Sequence, residues 1–356
     1  MGSVSSPTKQ KQIYLSFCGR DPAARTNISN WIERYDPSTN YWDRITEIPG
    51  LLPNEIRKCF AMVSLADSIF IIGGLKCSKV ILQEPDGIAL LPLQVLTCVL
   101  RFNITTKTWT HCSPLSNARF DFACSVIDGK IFVAGGQSRI GFARGISSAE
   151  FYDPIKDEWK PMPAMNATRY KCAGVTLQGK FHVFGGFAQR VDGQTSSGPF
   201  TMDRSSGEVY NAEDETWTFE SRMWELDVPP YQIVAIGLKL FSPGDCLKAW
   251  KGHFEVYDEK LRIWEAVDGS HLQPFSSPVT PYGDWPPIEH KYLTIAPIGT
   301  QLYLLTGYRT PGEIPRLTSA VHMFDTSEDG NGWTSFEPVC EEGEKEICCH
   351  CCVVDN

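Results

Sequence analysis

The chain has no long apolar run. Its most hydrophobic window, Ile88 to Leu100, is broken by Pro92 and falls short of the ~20 residues of a membrane helix. The first twelve residues, MGSVSSPTKQKQ, contain no apolar stretch, so neither a secretory leader nor an oxidising compartment is expected. The thirteen cysteines, an odd number, then read as reduced thiols of a soluble cytoplasmic or nuclear protein. Positive charge is not in excess either. The 33 basic and 42 acidic residues leave −9, which argues against a broad nucleic-acid or anionic-membrane surface. Helical 3.6-residue periodicity is missing, as are a phosphate-binding loop and a serine-centred elbow. The histidines at 111, 182, 253, 271, 290, 322 and 350 lack metal-type spacing, so no metal or other cofactor is expected. Gly2 with Ser6 fits the N-myristoylation pattern, an expectation of weak lipidation only.

What is present is a core-forming composition, 42% hydrophobic, and a repeat. An aromatic residue followed by Asp or Asn, with Trp six residues further on, occurs at Tyr35-Asp36/Trp42, Phe102-Asn103/Trp109, Tyr152-Asp153/Trp159, Tyr210-Asn211/Trp217 and Tyr257-Asp258/Trp264. A looser copy is Phe324-Asp325/Trp333. Apolar segments ending in glycine precede them: IFIIGG (69–74), IFVAGG (131–136) and FHVFGG (181–186), with weaker copies KLFSPG (239–244) and LYLLTG (302–307). Short turns such as Asp128-Gly129 lead into these segments, the chemistry of a hairpin. Each unit therefore reads as four antiparallel strands: a, b ending in glycine, c ending in aromatic-Asp, and d carrying Trp. Glycine suits a backbone that takes positive φ, Asp an Asx-turn, and Trp burial between neighbouring sheets.

Successive tryptophans lie 67, 50, 58, 47 and 69 residues apart. With the Gly-Gly and Tyr-Asp/Trp landmarks, this spacing resembles the kelch-repeat β-propellers, and the string GFARGISSAEFYDPIKDEWKPMPAM (141–165) is similar to plant F-box/kelch-repeat proteins. The resemblance implies an all-β, six-bladed kelch propeller. The first unit begins with a b-type segment, IYLSFCG (13–19), while ICCHCCVVDN (347–356) is left over, so the C-terminal strand is expected to close the first blade. The expected organisation is a flexible 1–12, then one domain with blades at 13–46 plus 347–354, 58–113, 120–163, 170–221, 229–268 and 290–338. In Cys348-Cys349-His350-Cys351-Cys352 a continuous strand would place Cys348, His350 and Cys352 on one face, and a core role is favoured over metal.

Function is expected at the end bearing the b–c and d–a connections, because the a–b and c–d turns are short and uniform. The resemblance implies a non-catalytic recognition module for a protein partner, a monomer, related to the substrate-binding part of F-box/kelch ubiquitin-ligase adaptors. About twelve residues precede the first strand, too few for an F-box, so the chain is expected to be either a kelch-only relative that keeps the recognition half or one whose F-box exon lies upstream of this sequence. The alternative is a metabolite-binding protein or metal-free enzyme using the axial pocket. Arg57, Arg119 and Arg169 stand sixteen residues before Gly73, Gly135 and Gly185, and His290 sixteen before Thr306. They could form a cationic ring at the channel mouth or cap backbone carbonyls within the propeller. Arg139 and Arg144 in one b–c loop, with Leu90 and Leu91 in the apolar loop 75–97, complete the candidate contact residues.

Overall fold

The computed structural model describes residues 11–20, 28–81, 88–191, 200–223, 230, 232–244, 253–258, 260–261, 263–272, 289–310, 316–327, 332–341 and 344–355. The chain forms an all-β propeller. Six antiparallel sheets of four or five strands occur among these residues. The third is typical: Ala123–Ile127, Lys130–Ala134, Ala149–Asp153 and Glu158–Met162 pair in chain order. The innermost strands are Ala61–Leu65, Ala123–Ile127, Ala173–Leu177, Val234–Ile236, Glu289–Ile298 and Cys352–Asp355. Each neighbours the next, and the last neighbours the first, so the sheets form a closed cycle.

Closure follows from the termini. Strand Lys11–Arg20 pairs with Ile28–Asp36 on one side and with the C-terminal segment on the other, through Phe17 opposite Ile347 and Tyr14 opposite Cys352. The first strand thus begins at Lys11, so Lys11 and Gln12 belong to a blade. The tail is not one continuous strand, which corrects the simple alternation expected for 348–352. Glu344–Ile347 and Cys352–Asp355 are separate strands, and the residues between them spread over the shorter stretch Leu15–Ser16. Cys348, Cys349 and Cys352 are all buried, and Cys351 is half-buried.

The period-2 pattern explains the packing between blades. Along the first strand, Ile13, Leu15 and Phe17 face the sixth sheet, packing with Tyr292, Tyr303 and Leu305. Tyr14 and Cys18 face the second, with Met62, Ile69 and Ile71. Every pair of neighbouring sheets shares such an apolar cluster. The repeated Trp joins them. Its ring packs on the aromatic opposite it in strand c, with centroids 4.9–5.2 Å apart in the six copies. In five copies its Nε1–H donates to the preceding blade: Trp109 to Thr46 Oγ1, Trp159 to Ser113 O, Trp217 to Pro163 O, Trp264 to Met223 O and Trp333 to Asp268 O. The c–d turns are Asx-turns, as where Asp153 Oδ1 accepts from Ile155 N at 3.0 Å.

Among the described residues two small sheets lie outside the blades. Gln189–Val191 pairs with Phe200–Met202. Leu75–Ile81 pairs with Ile88–Val95 and with Glu55–Lys58, so the segment expected as a loop at 75–97 is largely a hairpin with a third strand beside it. No helix of the described residues is long and apolar enough to cross a membrane.

Candidate functional site

The three arginines found by their spacing are buried, Arg57 at 2% exposure and Arg119 and Arg169 at 0%. The sixteen-residue offset is itself a hydrogen bond. Arg57 Nε donates to Gly73 O at 2.7 Å, Arg119 Nη1 to Gly135 O at 2.9 Å and Arg169 Nη1 to Gly185 O at 3.0 Å. Arg57 Nη2 also donates to Cys98 O, and Arg119 Nη1 and Arg169 Nη1 donate in addition to Ser148 O and Ser206 O, each just ahead of strand c. None of the three lines the axial cavity. The cationic ring at the channel mouth is therefore corrected: these guanidinium groups are spent inside their own blades, holding the glycine turn to the strand that follows it. His290 is exposed, opposite Tyr308 at the start of its strand.

A second recurring residue completes this arrangement and was not singled out from the sequence. Glu150 and Glu208 lie two positions before the strand-c tyrosine, and each pairs with the arginine of its blade. Glu150 Oε1 lies 2.9 Å from Arg119, and Glu208 Oε1 lies 3.0 Å from Arg169. Glu33 holds the same place in the first blade and meets Lys345 Nζ at 2.8 Å. The signal is Glu-x-aromatic-Asp/Asn at 33–36, 150–153, 208–211 and 255–258. The second blade has Leu100 there, so Arg57 has carbonyl acceptors but no such carboxylate, and burial pushes its pKa down to about 10.

A cavity of about 330 Å³ runs along the axis. Its lining is neutral and mixed, with Val63, Val126, Ser64, Ser125, Thr176 and Gln232 among the residues, and Cys351 and His350 at the tail. The hydroxyls are engaged: Ser125 Oγ and Thr176 Oγ1 lie 2.6 Å apart, and Ser64 Oγ donates to Val353 O at 2.5 Å. Burial pushes the Cys351 thiol up to about 11, despite its contact with Thr294, and likewise raises Cys349 and Cys352 well above the ordinary thiol value. Among the described residues no group of three or more His, Cys, Asp or Glu side chains is placed to hold a metal ion.

The remaining candidates lie on connections. Arg139 and Arg144 are exposed in the third b–c connection, where Arg144 Nε donates to Gln189 Oε1 at 3.4 Å. Leu91 is 51% exposed on the 88–95 strand. Leu90 is in the same strand, opposite Lys79, and its side chain lies outside the described residues. The eight candidates thus separate into three internal braces and five residues on scattered loops and edges.

Against known proteins, residues 118–166, the whole third blade with its Arg119–Glu150 brace, match the Kelch motif. The chain is 30% identical over 202 residues to the F-box/kelch-repeat protein At1g16250 of Arabidopsis thaliana, covering 55% of this chain and 46% of that protein. It is 30% identical over 184 residues to the Arabidopsis F-box/kelch-repeat protein SKIP30, covering 51% and 47%. To Kelch-like protein 26 of Danio rerio it is 22% identical over 286 residues, 80% of this chain and 41% of that protein. These matches span about half the length of each relative or less. The chain carries the kelch repeat and resembles the kelch-repeat proteins.

Proposed function

We propose that this chain is a non-catalytic recognition module that binds a protein partner on the b–c/d–a end of the propeller, and that it selects that partner for ubiquitin-dependent turnover, as a relative of F-box/kelch adaptors. The supporting observation is the difference between the two ends. The a–b and c–d turns are tight and repeat from blade to blade, with Ala66, Asp128 and Gln178 all near φ +50° in the a–b turns. At the other end the connections differ in length and form, and two of them build sheets of their own. A rigid frame with one varied face suits selection of a partner rather than chemistry on it.

Capture with the purified chain tests this reading. We expect a protein recovered in stoichiometric amount, dependent on the loops at 137–147 and 187–206, and a monomer when the chain is alone. The axial cavity favours a second reading, a neutral small-molecule ligand. Recovery of a co-purifying metabolite with no protein partner would support that and overturn the first.

A further inference from the structure

Phe142 is 54% and Ile140 41% exposed, two large apolar side chains in one short loop. The loop is tied in place. Gln137 Nε2 donates to Phe142 O at 2.7 Å, Arg144 N donates to the same oxygen at 2.8 Å, and Ile146 N to Gly136 O at 2.9 Å. Two neighbouring apolar side chains held toward water by a fixed backbone are suited to contact with a partner.

The same loop and the connection beside it carry cations. Arg139 and Arg144 lie in the same loop and are exposed. Arg144 reaches Gln189, whose backbone bridges to Thr168 in the segment entering the fourth blade. Two residues on, the Tyr170 and Phe187 rings stack at 4.9 Å, and the Arg204 guanidinium lies over Phe187 at 4.8 Å from its centroid. Neither Arg139 nor Arg204 forms an ion pair with a described carboxylate, although the chain as a whole carries −9. Lys171 adds a further exposed cation, while Asp121 and Asp203, acids near this face among the described residues, are both half-buried.

From this we infer that the face between the third and fourth blades binds an acidic polypeptide segment carrying a bulky apolar side chain among its carboxylates. The inference rests on the protein-recognition reading and names the partner's chemistry. The apolar side chain covers Phe142 and Ile140, and the carboxylates meet Arg139, Arg144 and Arg204. The three arginines lie on two different connections, and none shares a hydrogen-bond acceptor with another. Guanidinium groups on separate connections suit several single carboxylates along an extended chain. A nucleic acid, with a charged phosphate on every nucleotide, is repelled by the acidic remainder of the molecule more strongly than a segment with a few carboxylates.

The test is selection of displayed random dodecapeptides on the intact protein, followed by fluorescence anisotropy with the enriched sequences. We expect enriched peptides to combine Asp or Glu with Trp, Phe, Leu or Ile. Their binding should weaken about tenfold or more in Arg139→Glu/Arg204→Glu and, independently of charge, in Phe142→Ala, with each variant keeping the parent melting temperature. Enrichment of neutral or basic peptides, no enrichment, equal binding by the variants, or tighter binding of a single-stranded oligonucleotide would overturn the inference. A captured protein partner that binds these variants as well as the parent sinks this site and leaves the recognition reading intact. Failure to capture any partner counts against the reading itself.

Discussion

Glu208 accepts four hydrogen bonds, from Asn166 N, Asn166 Nδ2, Ala167 N and Arg169 Nε, at 2.6–3.1 Å and full burial. One carboxylate thereby neutralises the buried arginine and satisfies the backbone entering its blade. Glu208→Leu leaves the charge of Arg169 uncompensated and is expected to cost about 3–5 kcal/mol in denaturant unfolding. Adding Arg169→Met should recover part of that loss, and strictly additive costs would contradict the coupling. His182 provides a pH test. Burial, opposed by a backbone bond at Leu177 and helped by Lys180, pulls its pKa down to about 4 from 6.5. The unfolded chain therefore binds a proton in this window that the folded chain refuses, so stability should fall with pH between about 6.5 and 4, by at most about 3 kcal/mol. His182→Phe should flatten that limb of the stability curve, and an unchanged slope would show that other groups govern it. The arginines were legible because a fixed distance to a glycine is visible in the sequence. Their carboxylate partners repeat as faithfully, but a glutamate in an alternating strand looks the same whether it faces solvent or a buried guanidinium.

The inner strands approach one another so closely that side-chain size is limited by backbone. A Cβ on Gly174 would lie 2.5 Å from Cys124 N and 2.9 Å from Cys124 O in the neighbouring blade. Since these are main-chain atoms, they cannot rotate aside. Gly174→Ala is expected to destabilise the fold by about 1–3 kcal/mol, measured as a lower denaturant midpoint, and a neutral effect would mean that the inner strands are not in such contact. The a-b-c-d order was readable from the turn chemistry and the aromatic-Asp/Trp landmarks. The 75–97 segment was not. Its pairing with Glu55–Lys58 depends on chain that precedes the second blade, and a strand such as Ile88–Val95, with Leu91 and Leu93 both about half exposed, lacks the one-sided apolar pattern that marks a blade strand. The two-part C-terminal strand was hidden for a similar reason: five consecutive Cys and His residues carry no alternation to fix register.

At the scale of the whole molecule, the first blade is assembled from both chain ends, and the cluster that packs it on the sixth blade includes Ile347 and Cys351. A buried Lys345, 2.8 Å from Glu33 and 2.6 Å from Glu341, ties the tail to both blades, with its ammonium over the Phe17 and Trp42 rings. Every blade is held by its two neighbours, so opening this seam exposes apolar surface on two blades at once. The most direct test is calorimetric unfolding of the full chain beside a chain lacking residues 344–356. The closed ring requires one cooperative transition for the full chain and, for the shortened one, a melting temperature lower by on the order of 10 °C or no cooperative transition, recovered when a peptide of the missing residues is added. A shortened chain that melts at the same temperature as the parent would contradict the closed ring.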